Sequence, residues 1–236
     1  MVPLVVNLEY NLKMGVSTKM ESNPNSGLAL RARGKARRYA DIVAAASGLW
    51  RTHGFDKVSL NQIAAAAEVA PQTIYNLIGG LDAVGLAVIN VAMNQVETRL
   101  STSRATGVAF ALEAARVSAQ LYIDDSGLYR QVLVRIPRVL FDGTHLGRDV
   151  AQIVIHAMEQ AQEAGEIAAR VDPDRLGRLI YANYLGAIYD WACGDASDAV
   201  FLETAEAAVL APASTCATDA ARPALTARLM GLMGAH

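Results

Sequence analysis

The run from Gly54 to Asn76 constrains this chain more than any other segment: Gly-Phe-Asp-Lys-Val-Ser-Leu-Asn-Gln-Ile-Ala-Ala-Ala-Ala-Glu-Val-Ala-Pro-Gln-Thr-Ile-Tyr-Asn. Ser59 is placed to cap a helix that begins at Leu60, and Gln62 stands where a capping box takes Glu or Gln. Ile63, Ala64 and Ala67 then share one face. Pro71 suits the first position of a second helix, where its missing N–H has no intrahelical partner to lose. On that helix Ile74, Leu77 and Ile78 are spaced to face a core, while Gln72, Thr73 and Asn76 fall together on another side. Two short helices with one amide-rich exposed side form a helix-turn-helix, the arrangement that offers side chains to a groove of double-stranded DNA. Gln and Asn pair bidentately with adenine, and a Thr methyl touches a thymine methyl. Tyr75 offers its hydroxyl to a phosphate, and Ser59 joins the candidate DNA contacts. The competing reading of the same residues is an ordinary amphipathic helix with a wet polar face.

Upstream, the chain reads Arg31-Ala-Arg33-Gly-Lys35-Ala-Arg37-Arg38. A helix follows, with Tyr39, Ile42, Val43, Ala46, Leu49 and Trp50 on one stripe, and Gly54 is its natural stop. Arg31, Arg33 and Lys35 are candidate phosphate contacts. Three helices in this order make a small DNA-binding domain. In this set of positions the chain resembles the TetR family of transcriptional regulators. The matching residues are Ile42 to Ala46 through Trp50, His53 to Asp56, Val58-Ser59, Ile63-Ala64, Val69 and Thr73 to Asn76, within about fifty of 236 residues. Three positions depart from the family pattern. Glu68 stands where the family has Gly, Ala70 where it has a capping Ser, and Leu81 where it has a phosphate-contacting Lys. The resemblance implies an all-α protein with a helical body that holds a regulatory pocket and pairs two subunits.

The charge distribution fits this reading. Residues 1–80 carry nine Lys and Arg against five acids, the remainder twelve against eighteen, so a positive head adjoins a negative body although the whole chain is at −2. Residues 1–30 read as a mobile arm, with Met14 or Met20 as an alternative start. Residues 31–80 form the DNA-binding domain and 81–236 the ligand-binding and dimerisation domain. Within the body, helices are expected over Leu81–Ser103 (the connector), from Gly107 to Asp124, after Ser126-Gly127 until Pro137, from the Asp142-Gly143-Thr144 turn to Gly165, from Asp172-Pro173 to Trp191, and from Ser197 to Leu210. Pro212 to Pro223 reads as a loop before a last helix, Ala224–Met233. No apolar run reaches the roughly 18–20 residues that span a membrane, and two widely spaced cysteines, Cys193 and Cys216, suit a reducing cytoplasm.

Motifs for nucleophilic, nucleotide-dependent or metal-dependent catalysis are absent from the sequence. No catalytic residue, cofactor or metal is expected. His156, in the apolar run Ile153-Val154-Ile155-His156, reads first as a core histidine and second as a ligand contact. Tyr122, Tyr129, Leu133, His156 and Tyr184 are the candidate lining of a pocket among the helices of 107–188, suited to a small, mostly apolar effector. The small-residue stretch Tyr181–Tyr189 permits close packing and is a candidate part of a four-helix homodimer interface. The expected function is therefore a ligand-responsive regulator, of repressor type, on a palindromic operator. The alternative is a helical enzyme or small-molecule carrier with a vestigial basic head.

Overall fold

Helix boundaries follow local chemistry closely in the computed structural model, which describes residues 27–135 and 148–234. The expected arm at 1–30 falls almost wholly outside the described residues, as do Pro137 and the turn at Asp142-Gly143-Thr144. Among the described residues, two compact units divide between Asn90 and Val91.

The N-terminal unit holds α1 (Gly27–His53), a 3-10 turn (Phe55–Lys57), α2 (Leu60–Ala66), α3 (Pro71–Leu77) and the first half of α4 (Leu81–Leu100). The α1 stripe packs against the turn, α2 and α3. Ile42, Ala46, Trp50, Ile63 and Ile74 are fully buried, and Trp50 lies against Phe55 with ring centroids 4.6 Å apart. The basic run from Arg31 to Arg38 belongs to α1 itself and is therefore helical.

Ser59 caps α2 as its spacing predicts. Its hydroxyl accepts from Gln62 N, and the Gln62 side chain accepts in return from Ser59 N at 2.8 Å. The other end of α2 closes with a Schellman motif. Val69 N donates to Ala64 O at 2.9 Å and Glu68 N to Ala65 O at 3.2 Å, which places Glu68 in the left-handed region at φ 52°. The motif favours Gly at that position. The same closure at the ends of two later helices uses Gly165 (φ 74°) and Gly194 (φ 91°).

The C-terminal unit holds the rest of α4, then α5 (Gly107–Asp124), α6 (Ser126–Arg135), α7 (Gln152–Glu163), α8 (Pro173–Cys193), α9 (Asp198–Cys216) and α10 (Arg222–Met233). Helix α8 packs on α7 and α9, α5 packs on α7 and α9, and α10 lies on α9. The approach of α8 to α7 depends on Gly177, since a Cβ there would stand 2.7 Å from Ile155 Cα. Asp172 caps α8 by accepting from Asp174 N and Arg175 N, with Pro173 opening the helix. Arg130 ties α6 to the α8–α9 junction, donating to Trp191 O at 2.7 Å and pairing with Asp198 at 3.0 Å while lying over the Trp191 ring.

Two boundaries differ from expectation: α7 begins only at Gln152, with 148–151 outside the helix, and the end of α9 lies later. Helix α9 does not stop at Leu210 but continues through Pro212 to Cys216, so the expected loop shrinks to 217–221. Pro212 removes one helical hydrogen bond, but Pro212, Ala213 and Ser214 are buried, and their packing holds the helical path. A short antiparallel pairing stops the helix instead, with Ala168 N donating to Cys216 O and Thr218 N to Glu166 O, each at 3.0 Å.

Candidate nucleic-acid interface and candidate effector cavity

Helix α3 presents the amide side that the sequence predicts. Gln72 and Asn76 are exposed, Thr73 is half-buried, and Ile74 on the opposite face is fully buried. Gln72 Nε2 donates to Asn76 Oδ1 at 2.9 Å, so the two amides stand as a pre-paired unit one helical turn apart. Tyr75 is 56% exposed, a large ring turned to solvent beside that pair. Ser59 is exposed, but its hydroxyl is engaged with Gln62 at the start of α2. Its first task is structural: the hydroxyl proton is given to Gln62 Oε1, which leaves no donor for a phosphate oxygen. Ala70, at the start of α3, supplies no side-chain cap.

Arg31, Arg33 and Lys35 are exposed on the first turns of α1. Their neighbours Arg37 and Arg38, which the candidate contacts omit, join Arg33, Asp41 and Glu68 around a cleft of about 400 Å³. Arg37 reaches Asp41 only at 3.8 Å across solvent, so its charge remains available to an anion. A helical period through 31–38 is the signal that would have brought Arg33, Arg37 and the turn after α2 together.

In the C-terminal unit a cavity of about 50 Å³, space for roughly three to five waters, lies among α4, α5, α7, α8 and α9. Of the five predicted lining residues, Tyr122 and Tyr184 are in its wall. Tyr129 is buried behind Tyr122, edge-on with ring centroids 5.0 Å apart, and Leu133 is buried in the core without lining the cavity. His156 is neither a core nor a cavity residue. Ile155, Ala157, Met158 and Ala161 take the inner face of α7, which rotates His156 outward to a side chain 50% exposed. It sits there between Glu159, at 3.3 Å, and Gln160, at 3.1 Å.

The wall also includes residues that the sequence reading did not single out. Met93, Val96 and Leu100 come from the second half of α4, and Ser118 comes from α5, one turn before Tyr122. Burial pushes the phenols of Tyr122, Tyr181 and Tyr184 upward in pKa, so all three remain neutral donors at physiological pH. Outside the cavity, Asp149 pairs with Arg178 at 2.9 Å. Partial burial opposes ionisation of Asp149, but hydrogen bonds from Gln152 and Arg178, with the Arg178 charge, outweigh it and hold the carboxyl below the usual range.

Residues 42–77, the segment that builds this helix-turn-helix, match the family model of the bacterial regulatory proteins of the tetR family. The chain carries a TetR-family N-terminal domain. Over 73–86% of its length the chain is also similar in fold to solved TetR-family regulators. It is similar to SmeT, the repressor of the multidrug efflux pump SmeDEF of Stenotrophomonas maltophilia, at 18% identity and TM-score 0.56, over 78% of this chain and 92% of that one. It is similar to FadR of Thermus thermophilus, a TetR-family transcriptional repressor solved with lauroyl-CoA, at 21% identity and TM-score 0.55, over 73% of this chain and 93% of that one. A TetR regulator of Streptomyces fradiae, tylp, gives 17% identity and TM-score 0.55 over 86% of this chain and 98% of that one. At these identities the likeness establishes the fold. No curated protein matches the chain. Among the described residues, no single helix is long and apolar enough to cross a membrane.

Proposed function

We propose that the protein is a ligand-responsive transcriptional regulator of repressor type, which binds a palindromic operator as a homodimer and leaves it when a small, mostly apolar molecule enters the cavity of the C-terminal unit. The observation that carries this reading is the exposed Gln72–Asn76 amide pair on α3, held outward by the buried Ile74 and by a helix-turn-helix whose capping box is fully formed. A wet face with no task has no need of two paired amides beside an exposed tyrosine and a helix with five exposed basic residues between Arg31 and Arg38.

The division between the two units falls inside α4, so this helix offers the coupling. A ligand pressing on Met93, Val96 or Leu100 displaces a helix whose first half, with Val84 and Val88 buried, belongs to the DNA-reading unit. Two recognition helices must match half-sites about one DNA turn, roughly 34–36 Å, apart. A small shift in each α4 is therefore enough to break the match. Helix α8 supports the dimer. Its outward face carries Leu179, Ala182, Asn183, Gly186 and Tyr189 at helical spacing, all exposed, with small residues in the middle and large apolar ones at both ends. That pattern suits close helix-to-helix contact with a second copy.

The test is base reading. Asn76→Ala or Gln72→Ala is expected to weaken binding to the operator by about 1–3 kcal/mol while leaving binding to random duplex DNA largely intact. Equal loss on both DNAs would mean that these amides only position the protein, and the regulator reading would lose its main support.

A further inference from the structure

Two hydroxyls in the wall of the cavity complete no hydrogen bond. Ser118 Oγ and the Tyr184 hydroxyl are buried without a hydrogen-bond partner, in residues only 4% and 8% exposed. Ser118 faces the phenols of both Tyr184 and Tyr122 closely enough to favour their charged forms, yet neither Ser118 nor Tyr184 completes a hydrogen bond by distance and angle. Ala and Phe would fill the same space without leaving a buried hydroxyl unsatisfied, a costly state for any core. The rest of the wall is mostly aliphatic, and no Lys, Arg, His, Asp or Glu lines it. Arg178 is held by Asp149 at 2.9 Å and Asp174 at 3.0 Å, and Asp149 is the charge that reaches Tyr181 in the wall.

We infer that the cavity takes an uncharged molecule with a compact apolar body and one hydrogen-bonding oxygen, a carbonyl or a hydroxyl, gripped jointly by Ser118 and Tyr184. The inference rests on the effector-pocket reading above and narrows it to one chemical class. A carboxylate or phosphate would enter a wall with no cation and would lose its hydration uncompensated. A pure hydrocarbon would leave both hydroxyls without a partner. A neutral oxygen satisfies both, because Tyr184 stays a phenol and donates while Ser118 donates or accepts.

Three probes of similar size separate these cases by titration calorimetry on the full chain at pH 7.5: acetophenone, ethylbenzene and benzoate. Acetophenone is expected to bind about 5–30-fold more tightly than ethylbenzene, the return on one or two buried hydrogen bonds, and benzoate to give no binding at concentrations that saturate the site with acetophenone. Ser118→Ala and Tyr184→Phe should each bring acetophenone to within about threefold of ethylbenzene, with ethylbenzene binding unchanged. The Phe variant keeps the ring that stacks on Phe201 at 6.4 Å, and the unchanged ethylbenzene affinity reports that the cavity has kept its shape. Equal binding of acetophenone and ethylbenzene by the parent protein overturns the inference. Benzoate binding more tightly than acetophenone overturns the chemical class but leaves the effector pocket standing. No binding of any probe up to 5 mM (roughly −3 kcal/mol of affinity) overturns both.

Discussion

The turn of the helix-turn-helix holds a non-glycine residue in a conformation suited to glycine, and the consequence is measurable. Glu68 sits at φ 52°, where an L side chain meets its own carbonyl at a cost of about 1–2 kcal/mol. Glu68→Gly removes that cost but adds unfolded-state freedom worth about 0.5–1 kcal/mol, leaving a net stabilisation of about 0.5–1 kcal/mol. For a unit of 60–100 residues that melts by itself, each kcal/mol moves Tm by about 4–8 °C, so the expected rise is about 2–8 °C. Differential scanning calorimetry reads it as a shift of the transition belonging to the N-terminal unit. Glu68 also faces the cleft shared with Arg33, Arg37 and Arg38, so its removal alters local charge as well as strain. Glu68→Ala separates the two effects, because it removes the charge and keeps the strained φ. If Glu68→Ala stabilises as much as Glu68→Gly, charge is the cause and the backbone argument is wrong.

Two further perturbations probe the other unit and the basic helix. Gly177→Ala would set a Cβ 2.7 Å from Ile155 Cα and 2.8 Å from Ile155 N; backbone cannot swing aside as a side chain does, so a loss of about 1–3 kcal/mol is expected in urea unfolding, and a neutral result would show that α7 and α8 are free to part. Replacing Arg31 and Arg33 together by Ala should flatten the slope of log operator affinity against log salt by up to about two units per subunit; an unchanged slope would mean that the start of α1 never reaches phosphate.

Elements whose signals are local could be read from the residues alone. The Ser59–Gln62 capping box, Pro71 at the head of α3, Asp172-Pro173 at the head of α8 and Gly194 at its end each depend on groups within four residues. What long-range packing decides could not. Pro212 looks like a helix stop, yet burial of the residues around it carries α9 six residues beyond Leu210. The apolar run before His156 suggested burial, but which of four consecutive residues faces inward depends on the phase of α7 against α5 and α8. Tyr122 and Tyr184 were legible as cavity residues because they are large and apolar with a polar tip. Ser118 was not, since a serine within an alanine-rich helix carries no sign that its hydroxyl is buried without a partner. Arg37 and Arg38 belong with Arg33 and Glu68 only once 31–38 is known to be helical and to lie beside the turn after α2.

Selection of bound duplexes from a random DNA pool tests the central claim most directly. A dimer that reads bases through Gln72 and Asn76 on α3 should enrich a palindrome whose half-sites lie about one helical turn apart, and the enrichment should collapse with Asn76→Ala. Recovery of DNA without any shared sequence, or of a single unrepeated site unaffected by Asn76→Ala, would contradict it.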